Sequence, residues 1–306
     1  MISLENVGKR FGGRDAVAGV TLQIERGALC VLVGPSGAGK STVLRMINAL
    51  APSDRGVIRI DGRDIRDIEP TELRRGIGYV IQSVGLFPHW TVELNVATVP
   101  RLLDWPAERI ARRVRDLADL LQLDGDLLGR YPHQLSGGQQ QRVGVARALA
   151  GDPPIVLMDE PFGALDPITR ETLQGELARI HRQTGKTIVF VTHDMDEALR
   201  LGTQIAVLEN GLMVQSGTPR ELLEAPANDF VRQFVGGAEL GLRQLHLTPV
   251  RERVTPGAAD GEPIASDASL KQAMALMVAT GRRALPVEDD TGRVVGILRL
   301  DDLVRP

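Results

Sequence analysis

Cysteine is almost missing: the 306 residues carry one, Cys30, set in the apolar run Ala28–Val33. A lone thiol excludes an internal disulfide framework. Its apolar setting predicts a buried structural thiol rather than a nucleophile or a metal ligand, and a reducing compartment is expected. Aromatic residues amount to 3%, too few for the base-stacking platforms of single-strand binders. Net charge is −3 at pH 7, so no global basic field draws nucleic acid. No apolar run approaches the ~20 residues needed to span a bilayer. The histidines His89, His133, His181 and His246 show no paired ligand spacing, which argues against a zinc-type centre. Met1 leads straight into the strand-like Ile2–Val7 without the pattern of a signal peptide. Internal repeats and low-complexity tracts are absent too.

What is present is a soluble composition, 43% hydrophobic and 25% charged. From residue 1 to about 236 short apolar segments alternate with longer amphipathic ones. Strands are expected at Ile2–Val7, Val20–Ile24, Ala28–Val33, Val57–Ile60, Ile77–Ile81, Ile155–Met158, Thr187–Thr192, Gln204–Leu208 and Leu212–Gln215. Several are nearly all apolar, the mark of parallel strands covered on both faces by helices. Leu94–Leu103 and Pro106–Leu121 read as helices, Pro106 being suited to a first turn. The arginines between 109 and 115 are balanced by Glu108, Asp116 and Asp119, which reads as a solvated helix face. Composition shifts after Gly236-Gly237. A linker is expected over 237–263, with Thr255–Pro263 its most loop-like part. A small unit follows over 264–306.

Residues 34 to 42 read Gly34-Pro35-Ser36-Gly37-Ala38-Gly39-Lys40-Ser41-Thr42, between a strand and a helix-like run. This is the strand–loop–helix context of a phosphate cradle. Its glycines let backbone N–H groups converge on an anion, and the following helix adds its positive dipole end. Lys40 is placed to reach β- and γ-phosphates, and Ser41 to put a hydroxyl on Mg²⁺.

Further candidates follow in order. Gln82 ends the strand Ile77–Ile81 and offers an amide oxygen to Mg²⁺ or to an attacking water. Leu135-Ser136-Gly137-Gly138-Gln139 opens a helix through Ala150 and is a second device for holding phosphate. One nucleotide cannot easily use both devices within one chain, so a two-fold homodimer is expected, each turn closing on the other subunit's nucleotide. The strand Ile155–Met158 delivers Asp159 and Glu160 to the sheet edge where such folds bind ligands. Asp159 suits a Mg²⁺ shell, and Glu160 suits orienting or deprotonating water. His193 follows Thr187–Thr192 at another strand end, placed to sense a γ-phosphate. Gly163–Asp166 forms a turn suited to carrying information across a dimer. Phe11, before Gly12-Gly13, offers its ring either to adenine or to the core.

Together these residues resemble the ATPase subunit of ATP-binding cassette (ABC) transporters over roughly residues 1–236. The resemblance implies a P-loop NTPase cassette: a mixed parallel core sheet flanked by helices, an antiparallel β subdomain and a helical signature subdomain. Carried over position by position, it implies a Walker A loop at Gly34–Thr42, a Q-loop at Gln82, a signature at Leu135–Gln139 acting in trans, and Walker B acids at Asp159 and Glu160. It further implies a D-loop at Ala164–Asp166, a switch histidine at His193, and an adenine-stacking Phe11 where many relatives carry tyrosine. Ile77–His89, Tyr131–Gln134, Thr192–Ala198 and Pro226–Val231 are similar to the osmoprotectant importers, which carry quaternary amines such as glycine betaine, choline, carnitine or proline betaine. The tail from about 264 resembles a single cystathionine-β-synthase-type (CBS) motif, an α/β unit with Leu285–Val287, Gly292 and Gly296–Asp302 as its core.

The function implied is ATP hydrolysis with Mg²⁺, coupled to import through a separate permease received near Gln82–Val92, where Leu86, Phe87, Pro88 and Trp90 form an apolar stretch. An extracytoplasmic substrate-binding protein and a peripheral place on the cytoplasmic face of a bacterial inner or plasma membrane are implied as well. Alternatives are an importer ATPase for other small amines or amino acids, a soluble cassette ATPase outside transport, and a nucleotide-responsive regulator sensing through the tail.

Overall fold

The computed structural model describes all residues except 83–84, 164, 238–239 and 304–306. Two compact units result, Met1–Thr218 and a second beginning at Pro219.

In the first unit, strands β1 (Ile2–Phe11), β2 (Arg14–Ile24), β3 (Leu29–Val33), β4 (Arg55–Ile60), β5 (Arg63–Asp64), β6 (Ile77–Val80), β7 (Ile155–Asp159), β8 (Thr187–Thr192), β9 (Gln204–Glu209) and β10 (Leu212–Gly217) form one sheet. Its order is β5-β4-β1-β2-β10-β9-β3-β8-β7-β6. The strands β9, β3, β8, β7 and β6 run parallel. The arm β2-β1-β4-β5 is antiparallel. Parallel strands need cover on both faces, and β3, β7 and β8 are buried at every position. Burying each such Leu, Ile, Val or Phe contributes about 1.5–3 kcal/mol.

Helices α1 (Lys40–Ile47), α2 (Pro70–Arg75), α3 (Val92–Val96), α4 (Thr98–Leu102), α5 (Ala107–Leu120), α6 (Gly137–Ala150), α7 (Pro167–Thr184) and α8 (Met195–Leu201) complete this unit. The helix expected over Leu94–Leu103 is broken at Ala97, which ends α3 and caps α4. Pro100 has no N–H to give the carbonyl four residues back, so one continuous helix would lose a bond there. Pro106 stands just outside α5 as its N-cap rather than in its first turn. The basic face of α5 is not all solvated. Arg113 donates to the Leu149 carbonyl at 2.8 Å, meeting an orphan acceptor at the end of α6, and Arg109 lies 3.5 Å over the Trp105 ring.

The second unit has α9 (Pro219–Glu224), α10 (Asp229–Val235), α11 (Leu240–Leu247), β11 (Ile264–Ala265), α12 (Leu270–Thr280), β12 (Ala284–Glu288) and β13 (Val294–Arg299), its strands ordered β11-β12-β13. The stretch expected as a linker is largely folded. Residues 240–247 are helical, Val250 is buried in this unit's own core with Leu270, Leu285 and Leu298, and Thr255 bridges to Ile297. α11 packs on α9 and α12, so an apolar helix face and not a solvated connection occupies this stretch. Irregular loop is confined to the segment after Thr255, between that bridge and β11.

Candidate active site

In a parallel sheet the strand ends converge on one edge, and ligands bind just beyond it. β3, β6, β7 and β8 end at Val33, Val80, Asp159 and Thr192. In register, Val33 pairs with Thr192, Asp159 with Val191 and Val80 with Met158. The residues that follow these ends, Gly34, Gln82, Glu160 and His193, therefore gather along one edge.

The loop after β3 turns on glycines in the left-handed region, with φ of 155° at Gly34, 81° at Gly37 and 95° at Gly39. A Cβ at Gly34 would run into the Leu208 carbonyl oxygen, and one at Gly39 into that of Ala16. Beside Gly37 the space is open. The loop thus leans on backbone at its two ends and is clear at its middle, which leaves room for an anion over the start of α1, where the dipole amounts to about half a positive charge.

Lys40, the first residue of α1, is 5% exposed, and its ammonium donates to the Gly34 and Pro35 carbonyls at 2.7 and 2.8 Å. Burial pushes its pKa down, while the carboxylates of Glu160 and Asp159 hold it up. An ammonium on neutral carbonyls in a half-dry loop is poised to exchange them for phosphate oxygens, which make stronger charge-assisted bonds.

Ser41 Oγ donates to Asp159 Oδ1 at 2.7 Å, and Asp159 is 4% exposed. A hydroxyl and a carboxylate are hard oxygen donors that fit Mg²⁺. Among the described residues no cluster of three or more His, Cys, Asp or Glu forms a metal cage, so a cation here would depend on Ser41, Asp159 and the oxygens of a ligand.

Glu160 has φ 45°, uncommon for a residue with a side chain and worth about 1–2 kcal/mol of strain. Its N–H donates to the Val191 carbonyl at 3.1 Å, which pins the turn to β8. The carboxylate is held from two sides. Gln82 Nε2 donates to Oε2 at 3.0 Å, and His193 Nδ1 lies 3.4 Å from Oε1. Gln82 is therefore joined to Glu160 rather than to the Ser41–Asp159 pair. The result is an acid with one amide, one imidazole and a buried lysine around it, an arrangement chemically able to accept a proton.

The second device stays apart from this group. Ser136 caps α6, its Oγ accepting from Gln139 N–H at 3.3 Å while Gln139 Oε1 accepts from Ser136 N–H at 2.9 Å. That is a reciprocal capping box, worth about 1 kcal/mol to the helix. Leu135 is buried beside it, and Gly137 faces open space. Among the described residues no hydrogen bond links Ser136 to the loop 34–42.

Asp166 caps α7, accepting from Thr169 N–H at 3.1 Å, and hydrogen bonds from the Thr169 side chain first and its backbone second hold its carboxyl below the usual range. Ala164, in the same expected turn, lies outside the described residues, as do Ser83 and Val84 in the expected permease-facing stretch. Phe11 is 55% exposed at the tip of the β1–β2 hairpin, which excludes the core role, and Lys9 lies 5.5 Å over its ring. Cys30 is buried, and burial pushes its thiol up to about 12. It is an inert packing residue, as expected.

Asn95 was not singled out by its sequence. It is fully buried, accepts from Phe87 N–H at 2.8 Å, and donates to the carbonyls of Phe87, Trp90 and Thr91 at 3.0–3.1 Å. One amide thus shapes the whole loop 87–91. The available signal was an Asn on the otherwise apolar face of Val92–Val96. Beside this loop lies a groove of about 340 Å³, lined by Tyr79, Ile81, Phe87, Val99 and Arg147.

Comparisons with known proteins bear on both units. A family model described as "ABC transporter" matches residues 17–163, and one described as "CBS domain" matches 262–305. The glycine betaine uptake system ATP-binding protein YehX of Escherichia coli (strain K12) is 53% identical over 305 residues, covering 99% of this chain and 99% of that protein. The glycine betaine/carnitine/choline transport ATP-binding protein OpuCA of Bacillus subtilis (strain 168) is 50% identical over 280 residues, 90% of this chain and 72% of that one. Among solved structures, a dimeric ATP-binding cassette in a post-hydrolysis state, bound to ADP and Pi, aligns with a TM-score of 0.65 at 37% identity, covering 72% of this chain and 99% of that one.

Proposed function

This chain belongs to the ABC transporter family as an ATP-binding, ATP-hydrolysing subunit, and from that premise we propose how its residues share the work and what the work drives. In this reading two copies face each other. Each holds a nucleotide on its own Gly34–Thr42 loop and covers its partner's nucleotide with Leu135–Gln139. Lys40 leaves the Gly34 and Pro35 carbonyls for the β- and γ-phosphates, and Phe11 stacks on adenine. Ser41 and Asp159 would hold Mg²⁺, which would supply charge neutralisation on the phosphates, while the Gln82 amide stays on the Glu160 carboxylate.

Glu160 accepts the proton of a water whose oxygen attacks the γ-phosphorus, and the bond from that phosphorus to the bridging oxygen of ADP breaks. His193 donates to the γ-phosphate and Ser136 of the opposite copy stabilises the developing charge, the kind of preorganised donor worth about 3–4 kcal/mol in a transition state. Asp166 marks the turn through which one site feels the other. Positioning and electrostatics do the chemistry. The observation that carries this is the Glu160 carboxylate fixed between Gln82 and His193 at 3.0 and 3.4 Å, beside the phosphate loop.

The work driven is uptake of quaternary amines such as glycine betaine, choline, carnitine or proline betaine. The support is the likeness to YehX along essentially the whole of both chains. Among the described residues no helix is long and apolar enough to cross a membrane. The chain is read as peripheral on the cytoplasmic face of the inner or plasma membrane, working with a separate permease and, through it, with an extracytoplasmic substrate-binding protein. The groove beside Phe87, with the loop that Asn95 shapes, is the proposed seat of a permease cytoplasmic helix.

Glu160→Gln tests the chemistry. ATPase turnover should fall by at least about a thousandfold while ATP still binds. Turnover close to the parent's removes Glu160 from its role.

A further inference from the structure

Beneath the His193 turn lies a buried polar cluster to which the chemistry above gives no task. Glu197, on α8, is 6% exposed. Its Oε2 accepts from Thr192 Oγ1 at 2.6 Å and its Oε1 from Gln174 Nε2 at 3.1 Å. Thr192 Oγ1 in turn accepts from Asp194 N–H at 3.0 Å. That hydroxyl therefore staples the chain on both sides of His193.

On its other flank Glu197 meets the turn before α7. Arg170 Nε lies 4.0 Å from Glu197 Oε1, and Arg170 Nη2 donates to the Leu165 carbonyl at 3.2 Å, one residue before the α7 cap Asp166. Arg170 Nε is buried and makes no hydrogen bond, so the ion pair with Glu197 compensates it. Packing alone does not account for an acid here. Burial pushes the Glu197 carboxyl above the usual carboxylate range, and the Thr192 hydrogen bond only partly offsets this. A buried ion costs stability that an apolar side chain would not.

We infer that Glu197 is a positioning residue for ATP hydrolysis: through Thr192 it sets the turn that presents His193 to Glu160, and through Arg170 it sets the turn at Leu165–Asp166. One carboxylate thus holds in register the two loops that flank the proposed general base. The inference rests on the roles proposed for Glu160 and His193.

The test is a double-variant cycle on steady-state ATP hydrolysis by the purified full-length chain. Thr192→Val and Glu197→Gln keep shape and remove, respectively, the hydroxyl and the charge. Each should lower kcat about tenfold with KM for ATP within about twofold, and the double variant should fall no further than Glu197→Gln alone, because Thr192 acts only through Glu197. Thr192→Ser, which restores the hydroxyl, should stay within about twofold of the parent. Circular dichroism at the assay temperature keeps folding apart from positioning. A double variant falling about a hundredfold, a Thr192→Val enzyme at parental rate, or losses that only track the unfolded fraction would each overturn the inference. If Glu160→Gln is inactive and these results fail, this relay alone is wrong. If Glu160→Gln is active, the proposed chemistry is wrong.

Discussion

Gly34–Thr42 and Leu135–Gln139 are both glycine-bearing turns opening a helix, yet the fold treats them differently. The first is closely enclosed, with no room for a side chain at Gly34 or Gly39, backbone turns that glycine alone adopts freely, and a buried lysine inside the loop. The second is relaxed: Ser136 and Gln139 satisfy each other in an ordinary capping box, and Gly137 looks into open space. Close backbone approach of the kind only glycine permits is kept where a rigid shape is needed within one chain. A relaxed cap carrying a free glycine face has no such task in its own chain. It is suited to meeting something brought to it. The contrast teaches that one glycine-bearing turn lies beside Glu160 and the other does not.

The largest expected effect separates the halves directly. Lys40→Ala should abolish ATP binding and cut turnover by at least about a thousandfold. Ser136→Arg should cut turnover about a hundredfold yet leave ATP binding to the isolated chain within about twofold. Fluorescent-nucleotide titration beside steady-state turnover checks both, and a Ser136→Arg chain that fails to bind nucleotide would erase the distinction. A smaller effect lies in stability. Gly34→Ala should cost about 2 kcal/mol or more, since both its φ and the Leu208 carbonyl oppose a side chain. Gly137→Ala, at a helical position with open space, should be neutral or stabilising by up to about 1 kcal/mol. Urea unfolding of the two variants measures the difference. Equal losses would mean that the two turns are held alike.

Much of this was legible in the sequence because the signals are local. Apolar runs such as Ile155–Met158 and Ile188–Val191 read as buried strands, and the residue after each strand end is necessarily at the sheet edge. The meeting of Gln82 with Glu160 was not legible, because it depends on β6 lying beside β7. Nor was the cluster around Glu197, whose partners come from α7 and β8. Asn95 and the break at Ala97 were missed for a different reason: a buried amide and a mid-segment proline act on backbone bonds that hydrophobic periodicity does not register. The stretch 237–263 was read as a linker from its glycines and prolines, whereas Leu240–Leu247 and Val250 bring the apolar surface that folds it.

The central claim is that ATP joins two copies, each completing the other's site. Sedimentation equilibrium of Glu160→Gln with and without ATP and Mg²⁺ tests it most directly. ATP should double the mass of this chain, and adding Ser136→Arg to the same background should return it to one copy with nucleotide still bound. A Glu160→Gln chain that stays single at saturating ATP, or a dimer indifferent to Ser136→Arg, would contradict the account.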